Sequence, residues 1–324
     1  MLDEMPSTLD TRPRSIYLVD LVAGSVRTTR PAPEGWSAWF PAISGRRVAW
    51  IEFRDPGYNT SGPVEWRIVV GDVGSGSSFI VASGVQQRTG HAFSAAWPSM
   101  DLDGDRVAYA VEDPAHPPDG WVIRVVSVTS GAILRSVRAD LPVYDLGLSG
   151  EDIAWTEGRI DSTLGFTYEG RLRVLRASDA KPRQIATDAY EVAAEDGRLA
   201  WSQDAHTMVT GAAQGTQVWT ATFADLAGEP AAPEPGHGAE QYQAWPSTGD
   251  GFVTWDSARL DLEDTSVNGD RFCLWDPRTR TAYELAPTPG AVIGNAGGGW
   301  FAWVDERQAV PTVSGVPIAS TRLP

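Results

Sequence analysis

The segment SGRRVAW, residues 44–50, decides the fold, because five variants of it follow along the chain. Each variant has a Gly-containing turn, then a short apolar run that ends in Trp or Tyr. The others are DGDRVAY (103–109), SGEDIAW (149–155), EDGRLAW (195–201), GDGFVTW (249–255) and GGGWFAW (297–303). We call the terminal aromatic residues the anchors; successive anchors lie between 46 and 59 residues apart. This period is typical of β-propeller blades, so the sequence predicts an all-β, six-bladed β-propeller of four-stranded antiparallel blades.

Strand order within a repeat follows from alternating apolar residues and from turn residues. The anchor belongs to the second strand of its blade, counted outward from the propeller centre. Two more strands joined by a tight turn complete the repeat, as in WVIRVVSVTSGAILRSVR (121–138) and RFCLWDPRTRTAYELAP (271–287). A single blade leaves both faces of its sheet exposed, so blades are stable only when stacked.

The two ends of the chain predict how the propeller closes. Residues 15–30, SIYLVDLVAGSVRTTR, read as an outer strand pair without an inner pair before it, whereas the last anchor, Trp303, has no clear outer pair after it. We therefore expect the N-terminal strands to complete the last blade, which removes open sheet edges. Residues 1–14 are expected to be a flexible segment, residues 15–324 a single propeller, and residues 305–324 a tail of unassigned position.

Charge and cysteine content narrow the partners and the compartment. Lys and Arg total 26 against 42 Asp and Glu, a net charge of −16, which disfavours nucleic acid and anionic membranes as partners. Cys273 is the sole cysteine, and residues 1–14 lack the apolar run of a secretory signal. We expect a soluble, cytoplasmic monomer if Met1 is the native start, and an exported protein if a signal peptide was removed.

Two segments carry a resemblance to a known family. FPAISGRRVAW (40–50) and WPSMDLDGDRVAY (97–109) resemble the repeats of TolB-like and related bacterial surface-type propellers, and the resemblance extends from Ser15 to Val304. It implies the propeller fold. It is nearly silent on activity, since unrelated functions share this fold.

Long connections point to one functional face, the loop-rich face. Turns between the first and second strands, and between the third and fourth, are minimal. By contrast, connections from the second to the third strand span 53–65, 112–120, 158–170, 204–215 and 258–270, and long segments (84–93 and 226–241) also precede two first strands. Long loops on one side of a rigid scaffold commonly carry function.

Candidate site residues converge on that face. The position two beyond each anchor points the same way as the anchor, and these positions are Glu52, Val111, Glu157, Gln203, Ser257 and Asp305. The catalytic candidates are Glu52, Glu157, His206 and Asp305. The candidates for ligand binding are Trp39, His91, Trp97, Tyr144, Tyr190, Gln203, Tyr242 and Trp245. The three Trp residues of this set, each close to a Pro, equally fit packing between blades.

Two functional classes remain open. A recognition module would bind a protein or a small molecule across the loop-rich face. An enzyme, such as a lyase, cyclase or hydrolase, would use the carboxylates and a loop His at the channel mouth. We predict no metal and no cofactor, because the histidines lack ligand spacing and no nucleophile elbow, metalloprotease or nucleotide-binding motif occurs.

Overall fold

The anchor motif forms the second strand of each of the six blades, as predicted. The computed structural model describes residues 15–54, 62–88, 98–113, 115, 120–160, 167–204, 216–231, 241–259, 271–285, 291–297, 300–305 and 312–317. Those ranges contain strands and turns but no helix. The chain is an all-β, six-bladed propeller of antiparallel blades. It divides into two compact units, 1–146 with 157–169 and 147–156 with 170–324.

The strands follow the chain in blade order. An N-terminal hairpin comprises β1 (Tyr17–Asp20) and β2 (Ser25–Thr28). Blade one has β3 (Ser37–Ser44), β4 (Arg47–Arg54), β5 (Gly62–Asp72) and β6 (Ser78–Arg88). Blade two has β7 (Ser99–Asp103), β8 (Arg106–Glu112), β9 (Trp121–Ser127) and β10 (Ile133–Ala139). Blade three has β11 (Val143–Ser149), β12 (Asp152–Ile160), β13 (Thr167–Leu175) and β14 (Arg183–Thr187).

The remaining blades differ at their outer edges. Blade four has β15 (Ala189–Glu195), β16 (Arg198–Asp204), β17 (Thr216–Thr222) and the short β18 (Glu229–Pro230). Blade five has β19 (Gln241–Gly249), β20 (Phe252–Arg259), β21 (Arg271–Asp276) and β22 (Thr281–Leu285). Blade six has β23 (Ala291–Gly297), β24 (Trp300–Asp305) and β25 (Thr312–Pro317). A parallel bridge between Thr216 and Tyr242 links blades four and five.

The third strand of blade six comes from the C-terminal tail, not from the N-terminus as expected. β25 pairs with β24 along its whole length, with Ser314 opposite the anchor Trp303. Strands that are consecutive in sequence pair most often, and this connection is short. The described residues of the N-terminal hairpin pair β1 with β2, and its residues Ile16 and Leu18 pack in a core cluster of blade one around Trp50.

The anchors form the centres of the core, as the repeat predicts. Trp50, Trp155 and Trp255 have no exposed surface, and Trp201 and Tyr109 are almost as deeply buried. The neighbouring Gly45 has φ 57°, which explains the Gly in the turn before the anchor. Several connections are shorter than predicted, because β5 begins at Gly62, β6 continues to Arg88, β12 continues to Ile160 and β13 begins at Thr167. The alternating burial of Val64, Glu65 and Trp66 shows why strand pairing extends there.

Candidate functional site

The predicted site residues fall into three groups. Glu52 and Glu157 are fully buried, whereas Trp39, Tyr144, Tyr190 and Gln203 are partly exposed and Trp245 is exposed. Asp305 lies in β24, and Tyr242 lies in β19. His91, Trp97 and His206 lie outside the described residues.

Glu52 is enclosed by donors from its own blade and from the N-terminal segment. Its Oε1 accepts a hydrogen bond from Trp50 Nε1 at 3.0 Å, and its Oε2 accepts one from Arg67 Nε at 2.6 Å. Arg30 Nη2 lies 3.4 Å from both oxygens. The Arg67 guanidinium also stacks 4.3 Å from the centroid of the Trp36 ring. This carboxylate therefore neutralises a buried cation and holds the anchor indole in place.

The same position in blade four has the same structural task. Gln203 Oε1 accepts a hydrogen bond from the anchor Trp201 Nε1 at 3.1 Å. An acceptor two residues beyond a Trp anchor satisfies an indole N–H that would otherwise be buried without a partner. In these two blades the ring of positions that the sequence suggested as a ligand site serves the anchors.

Tyr144 and Tyr190 contribute backbone carbonyls that connect successive blades. Ser99 Oγ donates to the Tyr144 carbonyl at 2.6 Å, and Thr156 Oγ1 donates to the Tyr190 carbonyl at 2.5 Å. Thr216 Oγ1 donates to the Gln243 carbonyl in the same manner at 2.7 Å. These bonds join a strand of one blade to the innermost strand of the next, so this part of each innermost strand is fixed in position.

Trp39 packs within blade one. Its ring centroid lies 6.1 Å from that of Phe40 and 6.3 Å from that of Phe53, and it borders a core cluster that contains Ile51 and Trp66. Since offset and tilted aromatic pairs at these distances stabilise a core, Trp39 fits the packing interpretation of the sequence.

A β-bulge recurs in the innermost strands. The register shifts between Trp39 and Ala42 in β3, and between Ala244 and Ser247 in β19. At both places the first bulged residue is an aromatic directly before Pro and has positive φ, 52° at Phe40 and 49° at Trp245. These side chains are also exposed, to 46% and 53%. Bulges commonly redirect a side chain next to a functional site.

The bulge in β15 contains Tyr190 and Glu191, and Glu191 lies as far before its anchor as Phe40 and Trp245 lie before theirs. The register shifts between Ala189 and Val192. Glu191 Oε2 accepts hydrogen bonds from the Trp245 backbone N–H at 2.6 Å and from Ser202 Oγ at 3.0 Å. Partial burial raises the pKa of this carboxyl above its ordinary value of 4.5, and the two hydrogen bonds oppose that shift.

Glu191 and Trp245 lie together, on the side of blades four and five where the second strands lead into long connections. In the register, Glu191 lies next to Ser202, close to the end of β16. Trp245 lies beside Asp256, toward the end of β20. From these ends the chain enters the connections 205–215 and 260–270, so the pair stands at the base of two long loops.

The sequence analysis selected Trp245 and Tyr190, the neighbour of Glu191, as ligand-binding candidates, but it did not select Glu191. The signal that locates it is a distance: Phe40, Glu191 and Trp245 each stand ten residues before their anchor. In blade six the bulged position, Ile293, has the same spacing.

Among the described residues, no three or more His, Cys, Asp or Glu side chains are grouped so that they could bind a metal ion. In the same ranges, no helix has the length and apolar character needed to cross a membrane.

Comparisons with known proteins agree on the fold. No protein-family model matches the chain, and no curated protein sequence matches it. Among solved structures it is similar to the β-propeller domain of the Trilobed protease from Pyrococcus furiosus, described as having an open velcro topology, with TM-score 0.60, 10% identity and coverage of 94% of this chain and 86% of that one. Pyrococcus horikoshii acylaminoacyl peptidase gives TM-score 0.61 and 12% identity over 94% of this chain and 47% of the peptidase.

TolB from Acinetobacter baumannii is a third similar structure, with TM-score 0.50, 11% identity and coverage of 85% of this chain and 59% of TolB. These identities are too low to carry function and establish the fold alone. The chain is thus a six-bladed propeller with a TolB-like fold, as the repeat motifs implied.

Proposed function

We propose that this propeller is a recognition module that binds its ligand on the loop-rich face, at the rim of blades four and five. The observation that carries the proposal is the exposed Trp245 ring, presented by a bulge whose backbone N–H is bound to the Glu191 carboxylate. Binding sites combine exposed aromatic surface with a few fixed polar groups.

Stability alone does not account for this arrangement. A bulky residue with positive φ costs about 1–2 kcal/mol relative to the right-handed region, and a residue before Pro is restricted further. Trp245 adopts this conformation and still leaves half of its ring in solvent. Since backbone strain at exposed, fixed residues is concentrated at functional sites, the bulge favours a ligand-binding role.

The strong negative charge limits the partner. A net charge of −16 opposes binding to nucleic acid or to an anionic membrane. The proposed partners are therefore a small molecule or a protein segment. The proposed function needs no cofactor, and we propose that the protein acts as a monomer.

An enzymatic role is a second candidate, favoured by one observation. Glu191 has a raised pKa because it is partly buried, and a carboxyl with a raised pKa suits a general acid. In that case Glu191→Gln would abolish turnover of a small organic substrate, while ligand binding would persist.

Fluorine NMR on the full chain labelled with 5-fluorotryptophan tests the recognition proposal. The Trp245→Phe variant identifies the Trp245 resonance, and a library of small molecules of mixed charge is then titrated. We expect binders to shift the Trp245 resonance while the buried anchors Trp50, Trp155 and Trp255 stay unchanged. Binders that shift other resonances and leave Trp245 unmoved, or a library without binders, would overturn the proposed site.

A further inference from the structure

Blade one contains an internal cation held between a carboxylate and an indole. The Arg67 guanidinium donates to Glu52 at 2.6 Å and stacks 4.3 Å from the Trp36 ring centroid. Its side chain is 15% exposed, so the cation is largely removed from water. A guanidinium suits this position because it forms directional hydrogen bonds to a carboxylate and stacks its flat face on an aromatic ring.

The rim of blades four and five also has a carboxylate and an indole: Glu191 is partly exposed and Trp245 is exposed. Both hydrogen bonds that Glu191 accepts go to Oε2. Within the described ranges no ion pair involves Glu191 and no cation contributes to its pKa. The Trp245 backbone N–H donates a hydrogen bond to this carboxylate at 2.6 Å. The residue that contacts Glu191 is therefore the one whose ring is exposed.

The neighbouring connections do not supply a cation in their sequence. Segments 205–215, 232–240 and 260–270 contain no Lys or Arg, and they contain six Asp and Glu residues and two His. The basic residues of β20 and β21 are Arg259, which pairs with Gln241, and Arg271, which pairs with Ser257. Arg259 is three residues beyond Asp256, which is roughly 10 Å along the strand.

We propose that Glu191 and Trp245 form a subsite for a guanidinium group supplied by the ligand, with the carboxylate as its ion-pair partner and the indole as its stacking surface. This inference rests on the proposed recognition function and names the chemistry of its ligand. The net charge of −16 would raise the local concentration of a cationic ligand.

The burial of Glu191 adds a pH dependence to this subsite. Its pKa is raised in the free protein, and a bound cation favours the ionised carboxylate. Affinity for the guanidinium should therefore fall as the pH is lowered through the pKa of the free protein. In Glu191→Gln this dependence should disappear.

The probe is N-acetyl-arginine amide, titrated into the full chain. Binding is followed by isothermal titration calorimetry and, in proteins that retain Trp245, also by the Trp245 fluorine resonance. The matched neutral control is N-acetyl-citrulline amide, which has the same shape without the charge. We expect the arginine compound to bind at least about tenfold more tightly. Glu191→Gln should reduce its affinity about tenfold, and Trp245→Leu should do so as well. Glu112→Gln, which neutralises another carboxyl with a burial-raised pKa at the end of β8, should leave affinity unchanged.

The outcomes separate this inference from the proposed function. Equal affinity for the arginine and citrulline compounds, or an unchanged affinity in Glu191→Gln, would overturn the guanidinium subsite while a shifted Trp245 resonance still supports recognition. No shift with any compound would overturn both. A glycine-flanked arginine peptide that binds more tightly than the amide identifies a protein segment as the source of the guanidinium, and equal affinities identify a small molecule.

Discussion

Two carboxylates in this molecule differ in both their partners and their accessibility. Glu52 in blade one is fully buried and contacts an anchor indole and two arginines. Glu191 at the rim of blade four contacts a hydroxyl and a backbone N–H and remains partly exposed. The first satisfies charges inside the fold, whereas the second is fixed without a cation from the described residues. Therefore the local partners, and not the residue type, distinguish a structural carboxylate from a candidate binding group.

The largest expected effect is on Glu52. Glu52→Ala leaves the Arg67 guanidinium and the Trp50 N–H without their acceptor, and breaking a buried ion pair typically costs about 3–5 kcal/mol. We expect a loss of this size in the free energy of unfolding, measured by urea denaturation. Glu52→Gln, which keeps an acceptor for Trp50 Nε1, should lose less. A loss below about 1 kcal/mol in Glu52→Ala would contradict the structural role and reopen Glu52 as a site residue.

How much of this comparison the sequence could reveal depends on the strand in question. The Gly turn and the apolar run ending in Trp50 or Trp155 predicted the second strand and its buried anchor, because both depend on local pattern. The accessibility of Glu52 depends on Arg67 from β5 and Arg30 from the N-terminal segment, which local pattern does not bring together.

Closure and the rim show the same limit. The sequence of residues 15–30 is typical of strands, and so is part of the tail. In the structure β25 from the tail pairs with β24, whereas β1 and β2 of the N-terminal hairpin pair with each other. Tyr190 was selected as an aromatic residue close to an innermost strand, but the bulge in β15 adds a residue and changes which side chain is presented. The bulge itself is visible in the sequence only when the repeats are aligned on their anchors.

A smaller effect is expected for Glu191, and it depends on pH. Its folded-state pKa is raised, so the protonated form is favoured by folding. The wild-type protein should gain stability as pH falls from above the folded-state pKa toward the ordinary value of 4.5. Glu191→Gln lacks this titration, so at neutral pH it should be as stable as the wild type or slightly more stable.

Urea denaturation of both proteins between pH 4 and pH 8 measures this difference. The stability of the wild type relative to Glu191→Gln should rise as the pH is lowered. A relative stability that falls on acidification would mean that the folded protein favours the ionised carboxylate. Glu191 would then be paired with a cation inside the protein, as Glu52 is, and the contrast between the two carboxylates would be lost.

The smallest expected effect concerns the backbone of Trp245. Trp245→Ala and Trp245→Gly both remove a ring that is half in solvent, so neither should cost much packing energy. They differ in the backbone, because Gly adopts φ near 49° without the penalty that Ala retains. We expect Trp245→Gly to be more stable than Trp245→Ala by about 1 kcal/mol or less, in urea denaturation at the same pH.

Phe40 supplies the matched control for this strain, because it has φ 52°, an exposed ring and a following Pro in the corresponding bulge of blade one. Phe40→Gly should exceed Phe40→Ala in stability by a similar amount. If Gly instead destabilises both sites relative to Ala, the bulges are not strained, and the argument that they persist for binding fails. If the advantage appears at Phe40 and is absent at Trp245, then the hydrogen bond from the Trp245 N–H to Glu191 compensates the strain, and the rim of blades four and five is held by that carboxylate.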